Sequence, residues 1–281
     1  MSSALCRSLR SELFFFVTAG LLATTLAVQR VAVVTGASRG IGKGIAVELG
    51  RAGFAVYALG RSSRDMPVSD VELMAGRRLP EGADLTVDAT AEAVSAAGGR
   101  GVAMPCDIGC DEALQSALNA VTEAEGRLDM LVCSAYSTPP GKLRSDFWKQ
   151  GMDMWDAVNG VGLRSLYASC AFATPALIET AKKAPASAPP PLIVLVSSFG
   201  GKAYTFNVAY GVGKAAVDRL ALDMSVQLRK NGVAAISLYP GLGVLRDSPP
   251  PAARGEDPRM QCGIEILPSV GFKLPAMSAS T

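Results

Sequence analysis

The chain has 281 residues, 49% of them hydrophobic and 19% charged, which excludes wholesale disorder and leaves room for one large α/β domain or two small ones. Twenty-seven basic residues against 25 acidic ones give a net charge of +2, so no nucleic-acid partner with its clustered basic face is expected. Histidine is absent, and this removes Ser-His-Asp triads, Cys-His pairs and nearly all zinc enzymes.

Residues 13–29 carry no charge, are rich in Leu, Phe, Ala and Val, and follow Arg7 and Arg10. They read as a targeting or anchoring segment, a little short for a membrane span; a buried N-terminal helix is the other reading. Membrane association at the endoplasmic reticulum or another organelle is expected, with the cytoplasm as the alternative. The β-branched run from Arg30 to Gly36 then reads as a buried parallel strand. Apolar residues at helical spacing (Ile41, Ile45, Ala46, Leu49) follow as far as Ala52, where Gly53 stops the helix. Further strands are expected at Phe54–Leu59, Gly101–Pro105, Leu128–Cys133, Leu192–Val196 and Ala234–Tyr239. Helices are expected at Thr86–Ala97, Glu112–Glu125, Trp155–Thr180 and Tyr210–Lys230. Strands alternating with helices predict a three-layer α/β Rossmann fold, a doubly wound parallel sheet over about 30–245. Residues 62–83 look like an insertion, Lys182–Pro191 a stiff surface loop, and 246–281 an irregular Pro-rich tail. The six cysteines form no CxxC pair and read as reduced thiols.

Between the first strand and its helix stands Thr35-Gly36-Ala37-Ser38-Arg39-Gly40-Ile41-Gly42. Gly36 permits a sharp turn, Gly40 lets a pyrophosphate approach the backbone, and Gly42 lets helix and strand pack closely. The helix N-terminus offers free N–H groups and a favourable dipole to the phosphates. Because the glycines sit between a predicted strand and a predicted helix, they read as a dinucleotide cradle. An acid at the end of the second strand would bind the ribose of NAD; here that end reads Ala58-Leu59-Gly60-Arg61. Arg61 and Arg39 supply forked cations for a 2′-phosphate, so NADP(H) is the expected cofactor.

Tyr210 and Lys214, four apart, share one helix face. A free phenol titrates near pH 10, and an adjacent ammonium should lower that value and make Tyr210 a usable acid or base.

With these motifs the chain resembles the short-chain dehydrogenase/reductase family over about Val31–Leu242. Thr35–Gly42 is similar to its TGxxxGxG, Asp107-Ile108 to its adenine-contacting acid, Cys133-Ser134-Ala135-Tyr136 to its NNAG, Tyr210–Lys214 to its YxxxK, and Pro240-Gly241 to its PG. The resemblance implies that Tyr210 passes a proton, that Lys214 also holds the nicotinamide ribose, and that Ser134, Ala135, Pro240 and Gly241 line the cofactor. It also implies a serine on the substrate oxygen. Ser198 is the choice from Ser197-Ser198-Phe199-Gly200-Gly201, but Tyr210 lies 12 residues on where 13 is usual, which keeps Ser197 in play. The family's helix asparagine is replaced by Gly162, with Asn159 one turn earlier. The family's substrate lid and last strand look truncated or divergent after Arg246. The expected activity is hydride transfer between the nicotinamide and a small carbonyl or alcohol, in a homodimer. The alternative is an NADP(H)-binding scaffold or redox sensor without catalysis.

Overall fold

A computed structural model describes residues 29–66, 84–137, 145–240 and the backbone of 265–267. Six parallel strands form its centre: β1 (Val31–Thr35), β2 (Ala55–Gly60), β3 (Arg100–Pro105), β4 (Met130–Cys133), β5 (Leu192–Val196) and β6 (Ala234–Tyr239). They stand in the order β3-β2-β1-β4-β5-β6, with a seventh strand, β7 (Glu265–Leu267), antiparallel on β6. The helices are α1 (Gly40–Arg51), α2 (Val87–Ala96), α3 (Asp111–Glu125), α4 (Met152–Asn159), α5 (Ser165–Lys183) and α6 (Val208–Leu228).

β1 shows why the sheet is buried on both faces. All five of its residues are buried. Val31 and Val33 join one core with Leu131, Leu166, Leu177 and Leu195, while Ala32 and Val34 join another with Val56, Val94 and Val132. Side chains that alternate across a strand therefore feed two apolar layers, each covered by helices.

The single helix expected over Trp155–Thr180 is divided. A five-residue π-helical stretch, Gly160–Arg164, joins α4 to α5. Gly160 and Gly162 are weak helix formers, and the stretch that holds them leaves the α-helical ladder for one π-turn. The last strand is present but divergent, being three residues long and antiparallel. Within the expected insertion, Ser62–Met66 forms a turn in which Ser63 N donates to Met66 O; Arg64 pairs there with Asp84 and Glu92. Residues 67–83, the apolar segment 13–29 apart from Gln29, Gly241 and most of the tail lie outside the described residues. The four described cysteines, Cys106, Cys110, Cys133 and Cys170, are free thiols. β1, β4, β5 and β6 end at one sheet edge, and the glycine turn and Tyr210 are both found there.

Candidate active site

The glycine turn is built by close backbone packing. Gly36 has φ +66°, and a Cβ there would lie 2.6 Å from Ala135 Cα. A Cβ on Gly42 would lie 2.3 Å from the Gly36 carbonyl oxygen. Neither place accepts a side chain. Gly40, with φ +57°, is different, since nothing lies within 4 Å of its missing Cβ. That open side is where a ligand can reach the backbone. Ala37 N donates to Leu59 O at 3.0 Å and Thr90 Oγ1 donates to Ala37 O at 2.8 Å, which pins the turn to β2 and α2. Ser134 N donates to Thr35 Oγ1 at 3.3 Å, tying the chain leaving β4 to the end of β1. Ser38 is buried in the turn and Ile41 stands exposed beside it. Arg39 precedes α1 with no side-chain cap, so the first N–H groups of the helix keep their capacity for an anion.

Arg39 is half-buried, and its guanidinium is pushed below the usual arginine range, by burial first and then by the positive charge of Arg61. Among the described residues neither arginine forms an ion pair. Arg39 therefore feels the like charge of Arg61 with no acidic partner of its own among the described residues. At the end of β3, Asp107 is exposed and accepts from Gly109 N at 2.9 Å, while Ile108 is buried.

The second half of the site hangs on α6. Asn207 caps this helix, its Oδ1 accepting from Tyr210 N at 2.8 Å. One helical turn then separates Tyr210 from Lys214, and both are buried. Ser198 leaves β5 opposite them, its Oγ 2.6 Å from the Tyr210 hydroxyl, and Gly200 N donates to the same Oγ at 3.1 Å. Lys214 Nζ donates to Val196 O at 2.9 Å. Ser197 faces the other way. Its Oγ donates to Lys214 O at 3.3 Å and its N–H to Leu238 O at 2.9 Å, so both of its polar groups serve the strand–helix junction. Ser198 is the choice from the motif and spacing keeps Ser197 in play; the side to which each points separates them.

Electrostatics depart from the simple expectation. Tyr210 titrates above its ordinary value because burial outweighs its hydrogen bond with Ser198. Burial also pushes Lys214 down to about 8, against the opposing pull of the Asp218 carboxylate. The ammonium does not sit on the phenol oxygen; it bonds to the Val196 carbonyl, with Nζ 5.9 Å from the Tyr210 ring centre.

Asn159 does reach this region. It is buried, Nδ2 donates to Ala209 O at 3.4 Å, and Oδ1 has no partner. A Cβ on Gly213 would lie 2.3 Å from that Oδ1, so the glycine beside Lys214 admits the amide. Tyr136, Val158, Asn159, Gly162, Tyr210, Gly213 and Lys214 line one narrow crevice. Pro240, half-buried, follows β6 at the same sheet edge. Sequence reasoning missed the Asn207 cap, although an asparagine three residues before Tyr210 at a helix start is a legible signal. It also missed Phe206, whose ring stands edge-on to Tyr210 at 5.1 Å, and nothing in the spacing announces that contact.

Residues 30–244 match the short chain dehydrogenase family. Dehydrogenase/reductase SDR family member 1 of Mus musculus is 40% identical over 217 residues, 76% of this chain; the chain spans 60% of that relative's length. A metagenomic short-chain oxidoreductase solved with NADP has a TM-score of 0.60 at 28% identity, covering 76% of this chain and 83% of the other. Carveol dehydrogenase from Mycobacterium avium, solved with NAD, gives 0.62 at 26% identity, covering 76% and 71%. The sheet, the glycine turn and the Tyr-Lys helix thus occur in a chain that belongs to the short-chain dehydrogenase/reductase family.

Proposed function

We propose that the protein is an NADP(H)-dependent oxidoreductase acting on a small ketone or alcohol, with Ser198, Tyr210 and Lys214 as its catalytic group. The observation that carries this reading is the 2.6 Å contact between Ser198 Oγ and the Tyr210 hydroxyl, with Lys214 one turn on and the glycine turn at the same sheet edge.

The residues fit the cofactor. Gly40 leaves its face open, α1 presents unsatisfied N–H groups, and Arg39 beside Arg61 suits a 2′-phosphate better than a hydroxyl. The absence of an acid at Ala58-Leu59-Gly60 supports the same choice. When bound, the nicotinamide supplies or accepts a hydride. Ser198, held by Gly200 N, donates a hydrogen bond to the substrate oxygen and polarises it. Tyr210 delivers its phenolic proton to that oxygen in reduction and takes it back in oxidation. Lys214 places a positive charge one turn away, which favours the phenolate left behind.

The direct test is turnover. Wild-type protein should oxidise NADPH with a lipophilic ketone, and Tyr210→Phe should lower kcat by about 10³-fold, within the span of general acid catalysis, with NADPH affinity unchanged. NADPH binding with no turnover above that of Tyr210→Phe, across a broad carbonyl panel, would replace this reading by the scaffold. Exposed Tyr167 on α5 and Leu222 and Val226 on α6 support a homodimer through these helices, which light scattering checks as a doubled mass. The uncharged segment 13–29 supports attachment to an organelle membrane, checked by co-sedimentation of the full chain with microsomes.

A further inference from the structure

Tyr136 follows β4 and turns its ring toward α6. The ring stands edge-on to Tyr210, with centres 5.7 Å apart and planes at 89°, and its own centre lies 5.2 Å from Lys214 Nζ. It fits because the π-helical stretch offers bare backbone there. A Cβ on Gly162 would lie 2.9 Å from Tyr136 Cδ2 and 3.1 Å from Cε2.

Simple core filling is an incomplete account of this ring. Its hydroxyl is buried with no partner, so no hydrogen bond pays for placing a phenol here where a phenylalanine would pack as well. What the ring does meet is a buried ammonium. An ammonium within about 6 Å of an aromatic centre, away from water, is held by the ring quadrupole. Burial keeps the Tyr136 phenol neutral by raising its titration well above the ordinary value.

We propose that Tyr136 is a positioning residue for the catalytic pair: its ring holds the Lys214 ammonium and sets the angle of Tyr210, in the space that Gly162 leaves open. This rests on the Ser198–Tyr210–Lys214 reading of the site. Four other groups bear on Lys214. Asp218 and Tyr210 lie on its own helix; Tyr239 comes from β6 and donates to Asp218, and Lys202, in the turn after β5, lies 5.2 Å from the Tyr239 ring. Among the described residues the ammonium meets two rings, that of Tyr136 at 5.2 Å and that of Tyr210, on its own helix, at 5.9 Å; Tyr136 is the one brought by another element.

The test follows Lys214 itself by NMR of protein labelled with 15N-lysine, its signal identified by loss in Lys214→Met. Wild-type Lys214 should titrate near 8. Tyr136→Leu should lower that midpoint by about one pH unit, while Tyr136→Phe, which keeps the ring, should stay within about 0.3 unit. In turnover, Tyr136→Leu should lose about tenfold in kcat with KM for NADPH unchanged, and Tyr136→Phe should recover it. Equal midpoints in wild type and Tyr136→Leu, or a Phe variant displaced as far as Leu, would overturn the proposal. If Tyr136→Leu does not fold, Gly162→Ala, which sets a methyl against the ring, should move the midpoint the same way by about half a unit; an unmoved midpoint overturns it equally. Wild-type protein that turns over no carbonyl sinks the catalytic reading alone, because the titration still decides whether Tyr136 holds Lys214.

Discussion

The two halves of the site are built on different principles. The glycine turn is shaped by backbone against backbone: Gly36 against Ala135, and Gly42 against the Gly36 carbonyl. The Tyr210 half is shaped by side chains meeting across separate elements, with Ser198 after β5, Tyr136 after β4, and Tyr210 and Lys214 on α6. A backbone constraint appears in a sequence as glycines at fixed positions, because no other residue fits. A constraint between side chains leaves no such mark, since many residue pairs could fill the same space and only the fold reveals which ones meet.

Three substitutions probe this contrast. The largest effect is expected from Gly42→Ala. Its methyl would meet a backbone oxygen that cannot rotate away, so a loss of about 2–3 kcal/mol in stability and at least tenfold in NADPH affinity is expected by denaturant titration and fluorescence binding. If Gly42→Ala bound NADPH like the wild type, the cradle would not be backbone-limited and the contrast would fail. Next comes Arg61→Glu, a change on an exposed side chain beside the half-buried Arg39. NADPH affinity should fall about tenfold while NADH affinity rises, reversing the preference, in line with one charged hydrogen bond. Equal affinities for the two cofactors before and after the change would refute the 2′-phosphate assignment. The smallest is Asn207→Ala, which removes the cap on the helix carrying Tyr210. A loss of about 1 kcal/mol, read as a drop of roughly 3 °C in Tm, is expected, with a larger proportional loss in kcat than in NADPH affinity. A kcat untouched by that loss would mean that the start of α6 does not govern where the phenol points.

The regular parts of the fold were legible in advance. Six strands, the cradle and the Tyr210–Lys214 helix could all be read from apolar runs and glycines, and β5 and β6 have the bounds their sequences imply. The long helix from Trp155 was legible as apolar but not as interrupted; at the interruption Gly162 backs onto Tyr136, which follows β4, a contact that no spacing announces. The rivalry between Ser197 and Ser198 could not be settled by counting to Tyr210. Adjacent strand residues point to opposite faces, and only the end of β5 shows which of them faces the phenol. The rise in the Tyr210 titration was hidden for a similar reason. Spacing along a helix gives the neighbour but not the depth of burial, which raises the Tyr210 titration, nor the Val196 carbonyl that takes the ammonium.

One short connection ties the glycine turn to the buried tyrosine. From Ser134, which bonds to Thr35, through Ala135, which fills the gap beside Gly36, to Tyr136, which leans on Tyr210 and Lys214, three consecutive residues run from the glycine turn to the buried Tyr210–Lys214 pair. A shift of this tripeptide by a fraction of an ångström must disturb both ends together. Variants at Ser134 or Ala135, which touch the turn directly, should therefore lose cofactor binding and turnover in correlated steps, whereas Tyr136→Leu, at the far end, should show its loss in turnover.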